Sequence, residues 1–123
     1  MSNCKVVING VGSCIPERII KNEDFLNAEF YQENGEKFTA DNAEIIRKFE
    51  GITGIKARRY ANDDQKASDL ATIAAKNALA DSTIDAEELD YIIVAHNFGD
   101  MEVGTQRTDM MPSLASRVKH NLN

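Results

Sequence analysis

The sequence predicts an α/β fold with at least one parallel strand pair buried under helices. Three observations carry this. Residues 4–11 and 90–96 are apolar and rich in β-branched side chains, without the polar alternation of a strand wet on one face. Helical patterns fill the chain between them, as a crossover between parallel strands requires. No internal repeat, low-complexity tract or linker interrupts the 123 residues, so nothing marks a second domain.

The elements follow in order. The first strand, 4–11, breaks at Gly10-Val11-Gly12-Ser13 and Pro16. Asn22-Glu23-Asp24-Phe25-Leu26 has a capping residue, acids in the first turn and apolar residues after, which predicts a short helix. Residues 29–41 are polar, with a turn at Asn34-Gly35. Asp41 or Asn42 caps a helix over 42–50 whose apolar face is Ile45, Ile46 and Phe49, ended by Gly51 and Gly54. A loop at Asn62-Asp63-Asp64 precedes the clearest helix, about 68–80. Its face of Leu70, Ala71, Ile73, Ala74, Ala78 and, at the edge, Ala75 is small, which lets it lie close to whatever it packs on. Asp85-Ala86-Glu87-Glu88 has capping-box spacing. After the strand at 90–96, a long loop over 97–111 leads to Pro112-Ser113, which opens a last helix bearing Leu114, Ala115, Val118 and Leu122.

Composition excludes several functions. Hydrophobic residues make up 42% and charged residues 28%, ordinary values for a globular chain. The longest apolar runs are four or five residues, whereas a membrane span needs about 20. Two cysteines and no basic-then-apolar leader fit the reducing cytoplasm. A net charge of −6 argues against generic nucleic-acid binding. Yet five of the fourteen basic residues, Arg47, Lys48, Lys56, Arg58 and Arg59, fall within thirteen positions, opposed only by Glu50. They read either as a solvated, salt-bridged surface or as an anchor for a phosphorylated cofactor or acidic carrier.

By inspection no complete catalytic apparatus is present. Gly10-Val11-Gly12 lacks the third glycine of a dinucleotide fingerprint, since position 15 is Ile and Pro16 follows. Cys14 and Cys4 read as small buried cysteines, with nothing to fix an imidazole beside them. His96 at a strand end reads as a hydrogen-bonded loop residue. His96, Asp100 and His120 lack metal-ligand spacing, so no metal is expected. Glu87-Glu88 and Asp63-Asp64 read as solvated turns.

Several segments in order resemble the N-terminal part of β-ketoacyl-acyl-carrier-protein synthase III, a branch of the thiolase superfamily. They are Val7-Ile8-Asn9-Gly10-Val11-Gly12-Ser13-Cys14-Ile15-Pro16-Glu17-Arg18 with Asn22-Glu23-Asp24-Phe25, and the more specific Thr53-Gly54-Ile55-Lys56-Ala57-Arg58-Arg59-Tyr60-Ala61. Ser68-Asp69-Leu70-Ala71 follows with its alanine-rich helix, then Ile84-Asp85 through Leu89-Asp90-Tyr91-Ile92-Ile93-Val94-Ala95, then Met111-Pro112-Ser113-Leu114-Ala115. Together they span roughly 5 to 122.

The resemblance implies a thiolase-like N-terminal half-core with a mixed or parallel buried sheet and flanking helices over 1–123. It implies an acyltransferase of fatty-acid or polyketide-like synthesis, in which a cysteine takes an acyl group from coenzyme A. Malonyl-acyl-carrier protein then loses CO2 and attacks the acyl thioester. The family's catalytic Cys, His and Asn match no residue here, and the nucleophile is expected shortly beyond Asn123. The isolated chain is therefore expected to be inactive.

The resemblance assigns substrate, coenzyme A or carrier contacts to Lys48, Thr53, Arg58 and Arg59, and an acyl-pocket or dimer contact to Met111. Acyl-CoA enters as a substrate, with no tightly bound cofactor. Acyl-carrier protein, an acyl thioester and a second copy of the full-length protein are the expected partners. The chain departs from the family where a Trp and an Arg hold the adenine of coenzyme A, since the nearest positions are Lys48 and Ile52. Residues 29–44 and the loop 97–110 are also longer than usual. The departures keep two other readings open: a non-catalytic partner subunit of the same fold, or a small binding domain that grips an acidic ligand through 47–59. Strands cut from their neighbours leave apolar edges, so the isolated chain is expected to self-associate.

Overall fold

The structure is a computed structural model and describes residues 5–105, 107–109 and 111–122. It forms two compact units, one of residues 16–60 and one of the segments on either side, up to Ile15 and from Ala61 on.

In the 16–60 unit, β1 (Arg18–Lys21) pairs antiparallel with β2 (Ala57–Tyr60), Arg18 opposite Tyr60 and Ile20 opposite Arg58. The Arg18 guanidinium lies 5.8 Å from the centre of the Tyr60 ring, a cation–π contact across the ladder. A single 3-10 turn, Asn22–Phe25, follows β1. Asn22 is buried and satisfied: its side-chain amide donates to the Ile55 carbonyl at 2.9 Å and to Glu50 Oε2 at 3.2 Å. The Asn34-Gly35 turn forms, with Gly35 at φ 80° and Tyr31 bridged to Lys37. α1 (Asn42–Thr53) runs past Gly51 and stops only at Gly54, whose φ of 68° gives the left-handed cap that glycine adopts without a Cβ clash.

In the other unit, α2 (Ala67–Ser82) is the spine. Its first turn is closed by the Lys66 N–H donating to Asp69 Oδ2 at 2.8 Å. A 3-10 turn, Ala86–Glu88, is capped by Asp85, which accepts from the Glu87 N–H at 3.0 Å. The loop expected at 97–111 contains a two-residue hairpin, β3 (Asp100–Met101) with β4 (Thr108–Asp109), and α3 (Leu114–Leu122) buries Leu114 and Val118. The most buried side chains of α2 are the hydroxyls Ser68 and Thr72, while Ile73, expected on the core face, is exposed.

The two predicted buried strands are not formed. Residues 5–11 and 90–96 take no strand pairing, and Val6, Ile8 and Ile93 are 89%, 84% and 92% exposed. Among the described residues both ladders are antiparallel, so the predicted parallel pair is absent. The physical reason is that a strand is half of a hydrogen-bonded pair. An apolar run has the capacity for burial, but without an adjacent strand it has no ladder to enter. Residues 91–95 still alternate exposed and half-buried side chains, the two-faced habit of extended chain. Cys4 lies outside the described residues.

The Gly-x-Gly turn has a packing role. Gly10 and Gly12 cross the small face of α2 so closely that a Cβ on Gly10 would lie 2.5 Å from the Ala78 carbonyl oxygen. A Cβ on Gly12 would overlap the backbone of Ala74 and Ala78. The Val11 N–H donates to Asp81 Oδ2 at 3.0 Å and Asn77 Nδ2 to the Ser13 carbonyl at 3.0 Å, which pins the crossing. Cys14, just beyond it, is half-buried rather than enclosed.

Candidate functional site

The basic segment does not converge. Lys48 sits on exposed α1 and pairs with Glu44 one turn earlier, Nζ to Oε1 at 2.8 Å. That hydrogen bond and charge hold the Glu44 carboxyl below the ordinary carboxylate range. Arg58 and Arg59 are neighbours on β2, so their side chains leave opposite faces. Arg59 Nη1 donates to the carbonyls of Glu17 at 3.2 Å and Pro16 at 3.4 Å. Arg58 is half-buried and makes no ion pair among the described residues. Arg47 and Lys56 line a separate shallow hollow with Glu23 and Glu50.

Two of the four predicted binding residues share a site. Thr53 and Arg58 line a cleft of about 230 Å³ with Phe25, Phe30, Phe49 and Tyr60. Phe30 and Phe49 meet edge to face, 6.0 Å between centroids. Thr53 Oγ1 donates to the Phe49 carbonyl at 2.7 Å and accepts from the Ile55 N–H at 3.2 Å, so it shapes the end of α1. The result is an aromatic pocket with one unpaired cation at its edge, suited to a ligand that is apolar at one end and anionic at the other.

The second unit holds a buried polar clamp that pattern reading missed. Asp100 is 2% exposed. It accepts from the Ser68 N–H at 2.8 Å, from Ser68 Oγ at 2.7 Å and from Arg117 Nη1 at 3.2 Å. Burial alone would raise its pKa; the Ser68 hydrogen bonds and the charges of Arg117 and Lys66 outweigh burial and hold the carboxyl below its ordinary value. It also satisfies an otherwise unpaired N–H at the start of α2. Arg117 Nη1 reaches Asp109 Oδ2 at 3.3 Å, while its Nε and Nη2 donate to the Pro112 and Met111 carbonyls at 3.1 and 3.2 Å. The Met111 side chain on this fixed backbone is 82% exposed. His96 is exposed, and it lines a hollow of about 280 Å³ with Asp109 and Ser113.

Comparison with known proteins finds similar sequences of one kind. The β-ketoacyl-[acyl-carrier-protein] synthases III of Staphylococcus aureus strains Newman and JH1 are each 43% identical over 100 residues, 81% of this chain. The chain is homologous to β-ketoacyl-[acyl-carrier-protein] synthase III. It spans 28% of the length of those synthases. No protein-family profile matches it. In this synthase III homologue no helix of the described residues is long and apolar enough to cross a membrane. Lys48 and Ile52 present a salt-bridged ammonium and an aliphatic side chain that is 80% exposed.

Proposed function

We propose that the chain is the N-terminal part of a thiolase-like condensing enzyme of fatty-acid or related synthesis. That enzyme takes an acyl group from a thioester and joins it to malonyl-acyl-carrier protein by decarboxylative Claisen condensation. The single observation that carries this is 43% identity to synthases III over 81% of the chain. In this reading the residues described supply the periphery of the site rather than the nucleophile. Arg58, with Thr53, faces an anionic group of the thioester's carrier, whether coenzyme A or carrier protein. Arg59 has to release the Pro16 and Glu17 carbonyls before it contacts a ligand, and Lys48 has to release Glu44. Met111 forms part of an acyl-chain wall, a use that suits a flexible thioether, contributed across a dimer. In this reading the enzyme works in the cytoplasm.

A second reading, a non-catalytic partner subunit, draws on Lys48 and Ile52, which offer no aromatic face to an adenine. Intact-mass measurement of the natural full-length protein after mixing with acetyl-CoA separates the two. A covalent acyl adduct on one cysteine is expected for the enzyme. A protein that never acquires an adduct, with any acyl thioester, ends the catalytic reading.

A further inference from the structure

We infer that Arg117 is the positioning residue for Met111 and thereby sets the acyl-chain preference of the reaction proposed above, a reading on which this inference rests. Asp100 and Asp109 are directly opposed in the β3–β4 register, where two carboxylates repel. The Arg117 guanidinium stands against both, at 3.2 and 3.3 Å. Its remaining donors hold two successive backbone carbonyls, those of Met111 and Pro112. Only a planar fork of several N–H groups serves all four acceptors at once; an ammonium does not. The far end of the clamp is fixed as well, because Asp100 is buried and doubly bonded to Ser68 in the first turn of α2.

The backbone of Met111 is therefore tied through Arg117 and Asp100 to the spine of its unit. Its side chain is left free, at 82% exposure. A fixed base sets where an exposed apolar side chain enters a pocket, while the thioether itself stays free to fit what it meets. A shift of about 1 Å in that base moves the wall an acyl chain meets. A change of wall of one methylene's size discriminates acyl chains by roughly tenfold or more.

The test uses the natural full-length enzyme and Arg117→Lys, which keeps a cation between the two aspartates while giving up the fork, so the fold is retained. The expected result is an approximately tenfold change in the ratio of kcat/KM for a short straight acyl-CoA against a longer or branched one. In a Met111→Ala background, Arg117→Lys is expected to leave that ratio unchanged, since both act through one side chain. In spectra of 13C-methyl-methionine protein, the Met111 signal, identified by its loss in Met111→Ala, is expected to shift in Arg117→Lys. A uniform fall for all primers, an effect undiminished in the Met111→Ala background, or an unmoved Met111 signal overturns the inference while leaving the condensing reading intact. A wild-type protein that turns over no primer overturns that reading, and the acyl-chain role with it.

Discussion

The two units solve the same problem with different materials. The 16–60 unit contains both members of its ladder, β1 and β2, so short and charged strands still form a sheet, and its aromatic side chains gather over an open cleft. The other unit has longer and far more apolar strand-like segments, 5–11 and 90–96, yet neither pairs. It is held by a helix spine instead, gripped at one end by a buried Ser68–Asp100–Arg117 clamp and crossed at the other by Gly10 and Gly12. The difference teaches that pairing is decided by whether a partner strand is present, not by how apolar a segment is.

The comparison breaks most severely at the clamp. Asp100→Ala leaves the Ser68 N–H and hydroxyl without their acceptor and Arg117 with Asp109 as its one remaining carboxylate among the described residues, and each buried donor left unpaired typically costs about 1–3 kcal/mol. Hydrogen exchange should show this loss across α2 and α3 with β1–β2 protection unchanged. Gly12→Ala is expected to cost about 1–3 kcal/mol, the usual penalty of overpacking, read as a lower denaturation midpoint of the α2-containing unit. Gly54→Ala, at its left-handed φ, should cost about 1 kcal/mol in the 16–60 unit alone. The smallest effect belongs to Lys48→Ala, which removes an exposed helix pair; the slight drop in denaturation midpoint should vanish in high salt.

Acid sharpens the same contrast. The folded pKa of Asp100 lies below its unfolded value, so the clamp's contribution is fully present above about pH 4 and is lost as pH falls through the folded pKa. Acid titration followed by hydrogen exchange should open the α2-containing unit, and Asn at position 100 should remove that pH dependence.

How much was legible follows from the range of each interaction. The presence of α1, α2 and α3, the turn at Gly35 and the Asp85 cap are written within a few residues, and the sequence announces them; their exact ends are not, since α1 runs on to Thr53 and Asp41 makes no side-chain cap. β1 and β2 were missed because Arg58-Arg59 reads as a charged loop until Arg18 and Ile20 are seen opposite. The clamp was missed because Ser68 and Asp100 are 32 residues apart and Asp100 and Arg117 are 17 apart, and no local pattern links them. In the candidate site, residue types were legible and faces were not. The neighbours Arg58 and Arg59 looked like one patch, yet alternation along β2 sends one to the cleft and the other to the Pro16 and Glu17 carbonyls. The apolar segments were over-read because hydrophobicity records a capacity for burial and not its fulfilment. That unfilled capacity makes self-association of the isolated 123-residue chain the expected outcome in sedimentation, and a stable monomer would count against it.

One assay tests most directly the proposal that this chain is part of a working condensing enzyme. The natural full-length protein is incubated with an acyl-CoA and malonyl-acyl-carrier protein, and the β-ketoacyl product is measured together with released CO2. Equal amounts of both are expected, dependent on both substrates. CO2 without condensed product, or neither from any acyl thioester, would contradict it.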